Sequence, residues 1–131
     1  MKTLYYTIIM ILINTSVSFG QKGTISTVND KKYVFAESSS DNNYTSTFSF
    51  DKKEREKIVS TLEFYFEDKA NSNNNLIWKK LKDTSNEDDV FHVELKNKKL
   101  KIEWKNMQKT SHKETIEKLK KISAEIVKSL K

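Results

Sequence analysis

The sequence predicts an α+β domain in which two helices pack on one face of an antiparallel sheet of about five strands, in the order β-β-α-β-β-β-α. Apolar residues alternate with polar ones in the runs at 44–50 and 91–104, as in strands with one buried side. Apolar residues recur at helical spacing in the runs at 51–69 and 111–131. The strands come in hairpin pairs, which is typical of an antiparallel sheet.

Residues 1–20 have the pattern of a secretory signal peptide. Lys2 is followed by an apolar run from Leu4 to Ile13, and small residues at Ser18 and Gly20 fit a signal peptidase, with cleavage after Gly20. The alternative is an uncleaved membrane anchor, but the run is about half of the roughly 20 apolar residues that a spanning helix needs. The leader resembles those of bacterial exported proteins, and that resemblance implies no function.

Cleavage after Gly20 leaves a chain that we divide into a flexible lead-in at 21–31 and a single α+β domain at 32–131. The lead-in is assigned because residues 21–31 carry no periodic apolar pattern. The chain contains no cysteine, which excludes disulfides, thiolate chemistry and a lipid anchor on an N-terminal cysteine. We therefore expect an exported domain, periplasmic or extracellular, with no transmembrane span after cleavage.

The first hairpin joins strands predicted at 31–37 and 44–50 through the turn sequence SSSDNN. A helix is predicted over 51–69, where Asp51 and Glu54 have the spacing of a capping box. The sequence LIWKKLK at 76–82 predicts a third strand, with a less regular pattern.

The second hairpin turns at Asn97-Lys98, and this turn determines its register. Apolar partners then share one face, because a slip by one residue would expose all of them. The expected pairs are Lys96 with Lys99, Leu95 with Leu100, Glu94 with Lys101, Val93 with Ile102, His92 with Glu103, and Phe91 with Trp104. A final helix over 111–131 follows, with a second capping box at Ser111 and Glu114.

His92, Glu94 and Glu103 are predicted to lie on the polar face of this hairpin. Such a trio has the donor types of a metal site with open positions, or of a group for acid–base work. The alternative is a solvated sheet face with complementary charge pairs, and we favour it because no further histidine stands at a recognisable ligand spacing. No metal or cofactor is expected.

Charge is distributed unevenly along the chain, whose overall net charge is +6. Residues 21–95 have a net charge of −3, whereas residues 96–131 have a net charge of +8. This asymmetry indicates either attraction to an acidic partner or a lysine-rich solvated surface. The candidate binding residues are Lys101 and Trp78 on the sheet and, on the last helix, Lys113, Lys120, Lys121 and Lys128.

The sequence lacks a nucleophile elbow and a glycine-rich phosphate loop. It also lacks a basic-aromatic motif for nucleic acid, which is an unlikely partner for an exported protein. We therefore expect a small non-catalytic domain that binds a protein or an anionic component of the cell envelope. The alternative is a hydrolase of envelope polymers that uses carboxylates such as Glu94 and Glu103. Self-association through an open sheet edge is a third hypothesis, and the sequence leaves the oligomeric state open.

Overall fold

The structure, a computed structural model, describes residues 24–29, 32–83, 87–108 and 112–131. The predicted leader at 1–20 lies outside the described residues. Within them, the chain forms one antiparallel sheet of seven strands and two α-helices. The α+β class and the antiparallel sheet are therefore confirmed, and the prediction of five strands is wrong.

The strands cross the sheet in the order β1-β2-β3-β7-β6-β5-β4, and every neighbouring pair is antiparallel. A short 3₁₀ turn at Lys52–Glu54 leads into the first helix. In chain order the elements are β1 (Thr24–Asn29), β2 (Tyr33–Ser40), β3 (Asn43–Phe50), α1 (Arg55–Tyr65), β4 (Phe66–Ser72), β5 (Asn75–Leu81), β6 (Asp89–Leu95), β7 (Lys99–Asn106) and α2 (Lys113–Leu130).

The two strands that the sequence did not predict are the edges of the sheet. β1 lies within the segment 21–31, which was predicted as a flexible lead-in, and β4 occupies the end of the segment 51–69, which was predicted as helix. In β4, Phe66 is buried and the other residues are exposed, so the strand has no alternating pattern. An edge strand pairs on one side and buries few side chains, so its sequence carries a weak signal.

The predicted capping box at Asp51 is also absent. The Asp51 side chain makes no capping hydrogen bond, and its backbone carbonyl instead accepts a hydrogen bond from the Glu54 N–H at 2.9 Å. The Glu54 carboxylate lies 3.0 Å from the Lys57 ammonium. The segment therefore enters α1 through a 3₁₀ turn stabilised by backbone bonding. The second predicted box depends on Ser111, which lies outside the described residues.

The hydrophobic core lies between the two helices and one face of the sheet. Ile58 and Leu62 of α1 are fully buried, and so is a stripe along α2 at helical spacing: Leu119, Ile122, Ser123 and Ile126. The sheet contributes the inward residues of its strands, among them Phe48, Val93, Ile102 and Trp104. Burial of this apolar surface is the main force that holds the helices on the sheet.

The predicted register of the second hairpin is confirmed. The expected pairs from Leu95 with Leu100 to Phe91 with Trp104 all form between β6 and β7, and the ladder continues outward to Asp89 and Asn106. The Lys96 N–H donates to the Lys99 carbonyl at 2.8 Å and closes the turn. Alternation with period two determines this register, because any odd shift would exchange the buried and exposed faces.

A polar cluster inside the core connects α2 to the sheet. The Tyr44 hydroxyl, on β3, donates to the Glu37 carboxylate of β2 at 2.5 Å. Ser123 of α2 places its Oγ 2.6 Å from Tyr44 Oη and 3.1 Å from the Ser46 Oγ. Because buried polar groups need partners, this cluster specifies where α2 sits over β2 and β3.

Candidate functional site: the open face of the sheet

The sheet face opposite the helices bears the polar halves of the alternating strands. One row of this face crosses the whole sheet through successive strand pairs: Thr27, Ala36, Thr47, Lys101, Glu94, Ile77 and Ala70. A second row contains Ser38, Thr45, Glu103 and His92. These side chains are exposed or half-buried in the structure. We call this surface the open face.

His92, Glu94 and Glu103 lie on the open face, as the alternation predicts. His92 Nε2 lies 3.2 Å from Glu94 Oε1, and the Asn75 amide donates to Glu94 Oε2 at 3.1 Å. Glu103 points to a different partner, since its Oε1 lies 3.3 Å from the Lys101 ammonium. The two glutamates therefore have separate partners, His92 and Asn75 for Glu94 and Lys101 for Glu103.

The hydrogen bond from His92 is the main cause that lowers the pKa of Glu94, with smaller contributions from the charges of Lys96 and His92. Desolvation raises the pKa of Glu94 and is the second-largest effect, smaller than that of the His92 hydrogen bond. A carboxyl group that works as a general acid near neutral pH needs a raised pKa. The environment of Glu94 favours the ionised carboxylate over the protonated acid, which suits a hydrogen-bonded pair with His92 better than the role of a general acid.

Among the described residues, no three side chains of the types His, Cys, Asp and Glu are placed to hold a metal ion. On the open face, His92 and Glu94 lie in contact and could supply two ligands to a metal ion. A zinc site needs three or four protein ligands. We predict that zinc does not raise the melting temperature of the protein. Thermal melts with zinc and with a chelator test this, and a zinc-dependent rise that His92→Gln abolishes would contradict it.

Three lysines line one cleft at the end of the open face beside the β6–β7 turn. A cleft of about 350 Å³ there is lined by Lys96, Lys99 and Lys101 together with the hydroxyl residues Thr47 and Ser49 and the carboxylate of Glu94. Thr47 stands opposite Lys101 and Ser49 opposite Lys99 in the β3–β7 ladder. Two hydroxyl residues of β3 therefore face two lysines of β7, and we call this end of the open face the basic cleft.

A second cleft, of about 570 Å³, adjoins the basic cleft at Ser49. Its charged lining residues are Lys32, Lys53, Lys98, Asp51 and Glu54. It extends the positive surface around the ends of β2 and β3, although two carboxylates reduce its charge.

The shape of this end depends on Arg55 in the first turn of α1. Its Nε donates to the Lys96 carbonyl at 3.3 Å, and its Nη2 donates to the Asn74 carbonyl at 3.2 Å. Arg55 therefore connects α1 to the turns that follow β4 and β6, and holds the backbone of Lys96 at the rim of the basic cleft.

The candidate binding residues separate onto two surfaces. Lys101 lines the basic cleft. Lys113, Lys121 and Lys128 are exposed on α2 and Lys120 is half-buried. Because α2 packs on the core face, these lysines lie on the other side of the sheet from the basic cleft, so no single ligand site unites them with Lys101.

Trp78 does not belong to any surface site. Its side chain is 1% exposed and lies in the core, which corrects its assignment as a candidate binding residue. The sequence could not place it because β5 buries Trp78 and Leu81, with Lys79 and Lys80 exposed between them. This three-residue spacing breaks the period of two that assigns side chains to faces.

Sequence reasoning placed Thr47 and Ser49 on a polar strand face but did not connect them with Lys96 and Lys99. That connection depends on the pairing of β3 with β7, which are separated along the chain by α1 and three strands. Alternation indicates the face of each residue, but it does not identify neighbouring strands.

Comparison of the chain with protein-family models, with curated proteins and with solved structures finds no significant match in any of the three. In the part of the chain that the structure describes, neither helix combines the length and the apolar character needed to cross a membrane.

Proposed function

We propose that this protein is an exported, non-catalytic binding domain whose basic cleft takes phosphate-bearing groups of the cell envelope. The observation that carries the proposal is that Lys96, Lys99 and Lys101 line one cleft, with hydroxyls at Thr47 and Ser49. Lysine ammonium groups bind phosphate as point charges, and hydroxyls donate hydrogen bonds to its oxygens. Export is proposed from the leader at 1–20.

The open face is favoured over α2 as the binding surface because it combines charge with concavity. The lysines of α2 are spread along an exposed helix that also carries Glu114 and Glu117. The basic cleft is lined by three lysines and one carboxylate, Glu94, which is hydrogen-bonded to His92, and the ammonium of Lys101 also lies 3.3 Å from Glu103 beside the cleft. A phosphate group there would meet a denser positive field than along the helix.

We predict that the protein binds vesicles of equimolar phosphatidylglycerol and phosphatidylcholine more tightly than vesicles of phosphatidylcholine alone. Reversing Lys99 and Lys101 to glutamate should weaken this binding at least about tenfold, because each lysine near an anionic surface contributes roughly 1 kcal/mol. Cosedimentation at low and high salt measures the effect, and added salt should also weaken binding.

The matched control reverses Lys121 and Lys128 on α2 and changes the net charge by the same amount. We expect it to weaken binding less than about threefold, since general attraction alone is reduced. Equal losses in the two variants, or a larger loss in the helix variant, would overturn the assignment to the basic cleft. Substituting Lys99 and Lys101 by glutamine serves as a second variant if the reversed pair lowers the melting temperature.

A further inference from the structure

The two edges of the sheet differ in charge. β4, at one edge, contains Glu67, Asp68 and Lys69, and all three are exposed. β1, at the other edge, has the sequence TISTVN and contains no charged residue. Charged side chains on an edge strand oppose pairing with another chain, because they resist desolvation and repel like charges. β4 is therefore protected against pairing and β1 is not.

No described strand pairs with the outer side of β1, which is the first strand in the sheet order. With the proposed cleavage after Gly20, residues 21–23 are the whole of the chain ahead of β1. The existing β1–β2 ladder uses six residues of β1, so a three-residue segment is too short to form a comparable ladder on the other side. This step depends on the proposed export of the protein.

We propose that β1 pairs in antiparallel fashion with β1 of a second copy of this chain, which makes one continuous sheet across a two-fold axis. An antiparallel pair of identical strands is self-complementary, as a two-fold interface requires. Residues directly opposite each other in an antiparallel pair point to the same face of the sheet. In a two-fold pair of identical strands, one residue therefore lies opposite the same residue of the other copy. Ser26 and Thr27 stand at the middle of the strand, where this residue must lie. No like charges meet along such a ladder.

The two-fold axis of an antiparallel strand pair is perpendicular to the sheet, so both open faces point to the same side. The dimer would then present two basic clefts to one envelope surface. Two linked sites bind a surface more tightly than one, without any new contact. This consequence rests on the proposed function, whereas the dimer itself does not require the ligand.

The protein is expressed with its leader in a cell that exports it, and mass spectrometry of the purified protein checks that its N-terminus is the cleaved one. This protein should sediment as a dimer at high concentration. Thr27→Lys should raise the dimer dissociation constant at least about tenfold, because it brings two ammonium groups close to the two-fold axis. Ala70→Lys is the matched control, since Thr27 and Ala70 stand at opposite ends of the same row, and it should leave the dissociation constant unchanged.

A monomer at all concentrations would overturn the proposal, and so would equal weakening by Thr27→Lys and Ala70→Lys. Hydrogen exchange of the unsubstituted protein gives an independent test, because the backbone amides of β1 should be protected more strongly at high concentration than at low concentration. Reversal of Lys99 and Lys101 should leave the sedimentation unchanged, so failure of the dimer and failure of the phosphate site are distinguishable.

Discussion

Replacing Trp104 with alanine is expected to lower the free energy of unfolding by about 3–5 kcal/mol, the range for removing a large aromatic side chain from a core. Trp104 is fully buried on β7. Its indole Nε1 donates to the Asp89 carboxylate at 2.9 Å, and its ring lies edge-on to the His112 ring with centroids 5.5 Å apart. The substitution leaves a cavity beside the start of α2 and removes a donor from Asp89.

Urea denaturation followed by circular dichroism measures this loss, with Phe64→Ala as the control. Phe64 is 71% exposed on α1, so its removal should change the free energy of unfolding by no more than about 0.5 kcal/mol. A loss below about 1 kcal/mol for Trp104→Ala would contradict the packing of β7 against the core.

Tyr44→Phe is expected to lower the free energy of unfolding by about 1–3 kcal/mol, although it removes a single oxygen atom. The loss arises mainly at Ser123, which is fully buried and loses the partner 2.6 Å from its Oγ, while the half-buried Glu37 loses the donor 2.5 Å from its carboxylate. A buried polar group that loses its hydrogen-bond partner keeps its full cost of desolvation.

Tyr65→Phe is the matched control, because the Tyr65 hydroxyl also donates to a carboxylate, that of Glu125, at 2.6 Å. Tyr65 is half-buried, so water can replace its lost bond, and we expect a cost below about 1 kcal/mol. If both substitutions cost the same in chemical denaturation, the buried cluster would have no special role in stability.

Tyr44 should also make the free energy of unfolding depend on pH in the alkaline range. Burial, and next the hydrogen bond to Glu37, raise the pKa of Tyr44 well above its ordinary value. Because the folded-state pKa exceeds that of the unfolded phenol, about 10, the stabilisation is complete below pH 10 and is lost as the pH rises above it. The unfolded chain then releases a proton that the folded protein retains.

The difference in free energy of unfolding between the unsubstituted protein and Tyr44→Phe should therefore shrink above pH 10, by up to about 1.4 kcal/mol per pH unit. Lysine titration affects both proteins equally and cancels in this difference. The difference is measured from pH 8 to pH 11 in steps of roughly one pH unit. If it stays constant over this range, Tyr44 ionises normally in the folded protein.

Local sequence pattern was sufficient for the second hairpin and for α2. In residues 91–104 the alternation and a two-residue turn allow one register, and the apolar stripe from Leu119 to Leu130 marks the buried side of the helix. Both patterns work because burial depends on the periodicity of the backbone, which is a local property.

The edge strands and the basic cleft could not be predicted from local sequence pattern. β4 buries Phe66 alone, so its remaining residues read as the end of a helix, and β1 is a short uncharged run without alternation. The alternating pattern also could not show that Trp78 is buried, because β5 departs from a period of two.

Sequence by itself determined the α+β class, the antiparallel hairpins and the solvent-facing position of His92, Glu94 and Glu103. Tertiary structure alone decided that β3 lies beside β7, which brings Thr47 and Ser49 against Lys99 and Lys101. It also put the lysines of α2 on the other side of the sheet from Lys101. The physical reason is that side-chain period follows from local backbone geometry, whereas the choice of neighbouring strand follows from how the whole chain buries its apolar surface.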